Sequence, residues 1–454
     1  MPNKFKKIAL LAGDVAFLYV SLYIALLLRY FRLPDKQIWD EHFLPFTLIF
    51  SAWVVIFFIY TLYNLDLAVK RAKFYRLSLQ ALITAGLASI VYFYITPHTN
   101  ITPKTNLVVF AIVFIVLFFI WRNLYYLAVR SYIPKENIAI IGFNKQSRAL
   151  VSEINKNPHL GYKTAFILDP FVDKKQSNDN VPIFNNTSDL HDLITKKNIN
   201  TLVLATDPSS LEKLRNLLFS ALHLKINFYS LPQFYESITG KIPIEAINKM
   251  WFLQNLSEGR KKWFDAIKRI YDLSAAFIIL TATLPLWIVI ALAIKLDSQG
   301  PIFFKQKRAG QYGKPFRIIK FRTMSIENNH HTPTQEQDKR ITTVGSFLRK
   351  TRLDEVPQVL NIIKGEMSFV GPRPERPELI IKLEQNIPFY RERMLVKPGL
   401  TGWDQISGEY HSPSIKDTIK KLQYDLYYIK NRSFYLDLSI ILKTLSTIIS
   451  RAGR

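Results

Sequence analysis

Predominantly apolar residues fill four stretches early in the chain: Ile8–Leu28, Phe43–Tyr63, Leu77–Ile95 and Leu107–Val129. Each approaches the ~20 residues that carry an α-helix across a hydrocarbon core, which predicts four spans. The first lies behind Lys4, Lys6 and Lys7, as in a signal peptide. It is as long as a full span, however, is broken only by Asp14, and three more runs follow it. The loop between the second and third runs carries Lys70, Arg71, Lys73 and Arg76 against Asp66. The loop between the first and second carries Asp35, Asp40 and Glu41 against Arg32 and Lys36. The positive-inside rule therefore expects the N-terminus and everything after Arg130 on the cytoplasmic face. Asp14 lies one to two turns inside the first run, where a structural, inward-facing role is expected.

From Asn137 the pattern changes to short apolar runs alternating with polar helical segments. Asn137–Gly142, Ala165–Leu168, Thr201–Ala205 and Ile226–Tyr229 read as strands, and Ser147–Lys156 and Ser209–Leu222 as helices. This alternation predicts a parallel, Rossmann-like α/β domain. Its first turn, Gly142–Ser147, holds one glycine, fewer than a pyrophosphate-binding turn needs, so the expected role is docking or dimerisation.

A fifth apolar run, Ile270–Ile294, contains only Asp272 as a charge and has Pro285 near its middle. Lys261, Lys262, Lys268 and Arg269 precede it and Lys295, Lys305, Lys307 and Arg308 follow, so both ends favour the same membrane face. The expectation is a re-entrant helix–break–helix at about 270–294, with the break at Pro285. A last amphipathic run, Phe434–Ile449, fits either a membrane interface or a surface helix packed on its own domain.

These patterns predict a multi-domain membrane protein: a four-helix transmembrane bundle at 1–134, a Rossmann-like α/β domain at 135–250, and a C-terminal α/β catalytic domain with a re-entrant helix at 251–454. Composition narrows the partners. The 454 residues carry 60 Lys+Arg against 35 Asp+Glu, a formal charge of +25, and 49% are hydrophobic. Such a field gathers polyanions, and the apolar runs favour a membrane over nucleic acid. Cysteine is absent, which excludes disulfides and thiol chemistry, and the eight histidines show no zinc-hydrolase spacing.

More than half of the positive excess lies beyond Arg260, around the adjacent carboxylates Asp354 and Glu355. Arg349, Arg352, Lys364 and Arg373 are close in sequence, and Lys320 and Arg322 lie upstream. A carboxylate ringed by cations is expected to stay ionised. It can attack phosphorus while its neighbour holds a hard divalent cation. The competing reading is a helix start, because Thr351-x-x-Asp354 is close to a capping box. The glycine/proline loops Lys320–Met324, Gly365–Pro374 and Lys397–Trp403 each present a cation, as phosphate-cradling loops do, and shift the balance toward chemistry.

Together Lys268–Asp272, Asp297–Gln306, Lys320–Met324, Leu353–Glu355, Met367–Pro374 and Pro398–Trp403 resemble the catalytic domain of the monotopic phosphoglycosyl transferases, a bacterial sugar transferase family. The upstream region is similar to the long, polytopic subgroup that initiates exopolysaccharide, capsule or O-antigen repeats. The resemblance implies transfer of a sugar 1-phosphate from a UDP-sugar to undecaprenyl phosphate at the bacterial inner (cytoplasmic) membrane, with Mg2+. It makes Asp354 the nucleophile, Glu355 its metal-binding partner, Arg349 a phosphate ligand and Pro285 the re-entrant break. Lys320, Arg322 and Arg373 are assigned to substrate phosphate by their charge. Membrane lipids and a homodimer are the other partners expected, and nucleic acid is not. The rival readings are direct attack by the lipid phosphate and a non-catalytic nucleotide or lipid sensor. The sugar, the pathway, any ligand of the α/β domain, and the roles of Asp272 and Asp425 stay open. Two departures from the family pattern stand out: Leu284 before Pro285, where serine is usual, and Asp404 after Trp403, where alanine is usual.

Overall fold

A computed structural model describes residues 2–63, 67, 71–96, 103–131, 136–157, 160–169, 181–186, 190–206, parts of 215–224, 226–256, 261–325, 338, 340–407 and 414–449. The chain forms two compact units, Met1–Phe234 and Tyr235–Arg454.

The first unit opens with α1 (Pro2–Tyr30), α2 (Lys36–Ile59), α3 (Arg71–Ile95) and α4 (Pro103–Ser131), all long and apolar enough to cross a membrane. α2 begins earlier than its apolar run because Asp35 caps it, accepting from the Ile38 amide at 2.8 Å. α1 packs along α4 and α2 along α3, around one core that includes Phe46, Trp53, Phe57, Phe110 and Phe114. Asp14 faces α4, where its carboxylate meets Arg122 at 2.5 Å with both side chains fully buried. Arg122 also donates to the Leu62 carbonyl, so the charge pair locks α1 to α4 and to the end of α2.

The same unit then builds a five-stranded parallel sheet in the order β3-β2-β1-β4-β5. Its strands are β1 (Glu136–Ile141), β2 (Tyr162–Leu168), β3 (Ile183–Phe184), β4 (Ile199–Leu204) and β5 (Asn227–Ser230). Two helices are described beside it, α5 (Lys145–Lys156) and α6 (Leu190–Lys196). The two-residue β3 and the short α6 were not foreseen, being too brief to show periodicity. Most of the helix expected at Ser209–Leu222 lies outside the described residues. Strand order reverses between β1 and β4, which puts the sheet's crevice at the loop after β1.

The second unit is organised on α7 (Lys262–Asp297), a single 36-residue helix. The two halves expected on either side of a break at Pro285 are one uninterrupted helical element. Proline removes one N–H from the ladder, and the neighbouring turns keep theirs. Buried positions fall at Lys268, Asp272 and Ala276 and again at Ile290 and Ile294, with none between. Phe277, Ile278, Leu284, Ile288 and Val289 are exposed there.

A hairpin of β6 (Phe303–Ala309) and β7 (Pro315–Phe321) follows, then α8 (Thr343–Lys350) and α9 (Val359–Lys364). β8 (Ser368–Val370) pairs in parallel with β9 (Gly399–Thr401), and α10 (Ile415–Asn431) and α11 (Phe434–Ile449) close the unit. α11 resolves the choice left by its periodicity in part: Leu436, Asp437 and Ile440 are buried on its own domain, while Phe434, Tyr435 and Leu438 are exposed.

Candidate active site

Asp354 and Glu355 do not start an α-helix by a capping box. The segment Leu353–Gln358 is a 3-10 turn entered through Arg352 in the left-handed region (φ 60°), and no side chain caps it. The Thr351 hydroxyl donates backward to the carbonyls of Phe347 and Leu348. A non-glycine residue at positive φ costs energy, and here it turns the two acids inward.

The dyad's two carboxyls are treated differently. Glu355 Oε1 accepts from Lys320 Nζ at 2.6 Å and from Arg373 Nη2 at 3.1 Å. Burial alone would raise the Glu355 carboxyl, but Arg373 and Lys320 outweigh it and bring it down to about 2. Asp354 is only 8% exposed, and its Oδ1 is buried without a hydrogen-bond partner. Its carboxyl is pushed above the ordinary range, first by burial and then by Glu355, against Lys320, Arg349 and Arg352. The expectation that nearby cations would hold Asp354 low is therefore corrected. Their contacts go to Glu355, whose charge acts back on Asp354.

The cations are delivered by separate elements. Lys320 comes from β7. Asn361 of α9, fully buried, fixes that strand by accepting from the Ile319 amide at 3.1 Å and donating to the Arg317 carbonyl at 2.8 Å. Arg373 follows β8, whose packing on β9 demands glycine: a Cβ on Gly371 would lie 2.4 Å from the Lys397 carbonyl oxygen. This glycine serves close backbone approach rather than a phosphate cradle. Arg349, on α8, donates from Nε to Thr323 Oγ1 at 2.9 Å and adds its charge beside Asp354.

Arg322 is not brought to the dyad. It is buried, and its guanidinium donates to the carbonyls of Ser298 (2.6 Å) and Gln299 (2.9 Å) and to Ser298 Oγ (3.0 Å). It thus closes the C-terminal end of α7, and its assignment to substrate phosphate is withdrawn. Position in a basic motif could not distinguish a ligand arginine from one spent on backbone carbonyls.

Further side chains support the site, among them Arg393, which the sequence did not single out, and Asp272 and Asp425, whose roles it left open. Arg393 donates to the main-chain carbonyl of Arg373 at 3.0 Å and to Tyr390 Oη at 2.6 Å, and pairs with Asp425 at 2.8 Å. Asp425 is buried on α10 and is raised to about 7 by burial and by Asp404, against Arg393. Arg308 donates to the Pro374 carbonyl at 3.2 Å. Burial pushes it down, with Arg373 and Arg376 adding to that and Glu375 opposing. Asp272 accepts from the Phe369 amide at 3.3 Å and so ties α7 to β8. Asp272 and Asp425 thus spend their carboxylates on the Phe369 amide and on Arg393 rather than on the dyad's cations. Trp403 stacks on Tyr427 and donates to the Gly240 carbonyl, a packing role.

The crevice of the parallel sheet is the other place to look for phosphate. The N-terminal turn of α5 carries a complete capping box between Asn144 and Ser147. The Phe143 amide donates to Asp169 Oδ2 at 2.7 Å, and Asn144 Nδ2 donates to the Ala205 carbonyl. Three amides of this turn, those of Phe143, Asn144 and Ser147, are taken by the protein's own side chains, one of them an acid.

Residues 263–451 match the family described as bacterial sugar transferase, and residues 46–232 match one described as a CoA-binding domain. A UDP-N-acetylgalactosamine-undecaprenyl-phosphate N-acetylgalactosaminephosphotransferase of Aeromonas hydrophila is 39% identical over 50% of this chain and 53% of its own length. UDP-glucose:undecaprenyl-phosphate glucose-1-phosphate transferases are 30% identical in Xanthomonas campestris pv. campestris, over 70% of this chain and 67% of that protein, and 42% identical in Escherichia coli (strain K12), over 39% of each. The matched region thus spans about half to two thirds of the first two relatives and less of the third.

Proposed function

The chain belongs to the bacterial sugar transferase family, and from that premise we propose that it transfers a sugar 1-phosphate from a UDP-sugar to undecaprenyl phosphate, starting a cell-surface polysaccharide repeat. The observation that carries this reading is the asymmetry of the dyad: a buried Asp354 oxygen without a partner, beside a Glu355 held ionised by Lys320 and Arg373. Asp354, once deprotonated, attacks the sugar-proximal phosphorus. The phosphoanhydride bond breaks, its bridging oxygen leaves with UMP, and the sugar phosphate remains on the aspartyl oxygen. An oxygen of undecaprenyl phosphate then attacks the same phosphorus and returns the carboxylate. Lys320, Arg373 and Arg349 would stabilise the charge that develops on the phosphoryl oxygens.

Two adjacent carboxylates with an unpartnered buried oxygen suit Mg2+, which is commonly held by one or two carboxylates together with substrate phosphates. Glu355 would hold it beside the attacking Asp354, and its chemistry there would be to neutralise the pyrophosphate. Among the described residues no group of three or more ligating side chains offers an all-protein cage.

In this reading residues 1–134 form a membrane bundle, the α/β domain runs from 135 to 234 and docks or dimerises, and 235–454 is the transferase unit, because Ile242 and Ile244 pack in its core and move the boundary from the expected 250, with both α/β parts on the cytoplasmic face of the inner membrane. In the same reading α7 is re-entrant, bent at Pro285 rather than broken there: its two buried ends both pack on the transferase unit while its apolar middle is exposed. The test is UMP release by detergent-purified protein from a panel of UDP-sugars with Mg2+, with and without undecaprenyl phosphate. Release that requires the lipid and is lost in Asp354→Asn supports the reading, and a phosphosugar adduct on Asp354 after rapid quench supports the covalent route. Release by Asp354→Asn at the wild-type rate would overturn both.

A further inference from the structure

A shallow surface cleft lies between the start of α3 and the end of α4. Its floor is apolar and aromatic, made by Leu67, Phe74 and Tyr126, all buried, and its walls are the half-exposed Tyr75 and Leu127. Arg71 stands at its lip. Beyond it, Lys73 and Arg76 are also exposed, and the first turn of α3 holds no acid. Among the described residues none of these three cations has an ion-pair or hydrogen-bond partner. The cleft therefore sits where a basic collar gives way to the apolar bodies of two membrane helices, the level of lipid headgroups.

We infer that this cleft marks the seat of one anionic glycerophospholipid, its phosphodiester on Arg71 and the upper part of an acyl chain laid over the half-exposed Tyr75 and Leu127. Charge and shape select that occupant. A soluble nucleotide or phosphate has no acyl chain to cover the half-exposed Tyr75 and Leu127. A zwitterionic lipid brings its own cation toward three others. A phosphodiester carries the single negative charge that one guanidinium at the lip can match. The inference uses the membrane reading of α3 and α4 and is independent of the transfer reaction.

The experiment is native mass spectrometry of the full chain released from bilayers of phosphatidylcholine with one quarter phosphatidylglycerol, under activation that strips bulk lipid. One phosphatidylglycerol is expected to remain per chain. Arg71→Gln, an exposed substitution, should lower its retention roughly fivefold, the effect of one cation near a lipid surface. Leu127→Trp, which fills the cleft, should lower it comparably, and Lys73→Gln, in the collar but outside the lining, should lower it less than Arg71→Gln does. Equal retention by wild type and Arg71→Gln, equal loss from Lys73→Gln, or equal retention of phosphatidylcholine would overturn the inference. So would preferential retention of undecaprenyl phosphate when it is added at the same fraction, since the occupant would then be a phosphomonoester.

Discussion

Lys320 Nζ lies 2.6 Å from Glu355 Oε1, on the oxygen that also receives Arg373. Two cations on one carboxylate oxygen leave the neighbouring Asp354 beside a fixed negative charge, and that charge has a kinetic signature.

Asp354 must be ionised to attack, and burial and Glu355 hold its carboxyl above the ordinary carboxylate range. Activity should therefore rise with pH through a limb lying above the ~3.9 of a free aspartate. Glu355→Gln removes the second of the two raising influences. Its residual activity should show that limb displaced to lower pH, short of the free value because burial remains. Lys320→Met removes a lowering influence and should displace it upward. The measurement is kcat/KM for UMP release against pH in the three proteins, and a Glu355→Gln limb that stays in place or moves up would contradict the account.

Asn361 makes a stability prediction. Replaced by Leu, it leaves the Ile319 amide and the Arg317 carbonyl without their partner in the core, a loss of about 1–3 kcal/mol for a buried group. Thermal unfolding in detergent should fall by several degrees. The anchorage of β7 loosens too, so transfer should fall in the Asn361→Leu protein even at temperatures where it stays folded. An unchanged melting temperature would mean that this side chain does not hold the strand.

Much of this was legible in the chain, and the limits have physical causes. Four apolar runs of span length are a composition signal that little else produces, and α1–α4 follow them. The central strands were found because buried parallel strands read as compact apolar runs, whereas β3 is two residues long. At the site, Asp354, Glu355, Lys320 and Arg373 come together as expected. Arg322 does not, because a cation in a motif says nothing about which way its guanidinium points. Asn361 and Arg393 carried no sequence signal beyond one amide in an apolar run and one arginine among many. The charge order within the dyad was misjudged because it depends on burial and on which carboxylate the cations touch.

The CoA-binding description of residues 46–232 invites a direct test. With the Phe143 amide on Asp169 and the first turn of α5 capped by Asn144 and Ser147, no phosphate is expected there. Equilibrium dialysis of the full chain against coenzyme A should show no saturable binding up to millimolar concentration. Saturable binding that is abolished by a bulky substitution at Gly142, where a Cβ would lie 2.1 Å from the Thr206 hydroxyl, would show that the crevice opens to a ligand after all.

The Arg393–Asp425 pair offers the last prediction. Arg393 holds the carbonyl of Arg373 and so the loop that presents its guanidinium to Glu355, while Asp425 balances Arg393 within the core. Because Asp425 is raised to about 7, the pair is fully charged above that pH and is weakened as the acid takes up a proton below it. Asp425→Asn is neutral at every pH and should behave as the wild type does on its acid side. Its kcat/KM is expected to fall about tenfold at pH 8, a change of ~1.4 kcal/mol in the barrier, and any inflection near pH 7 should disappear. Arg393→Lys keeps the charge but cannot fork between Tyr390, Asp425 and the Arg373 carbonyl, so it should lose activity without removing a charge. Wild-type kinetics in both variants, with Asp354→Asn inactive in the same assay, would show that this pair only supports the fold and does not place Arg373.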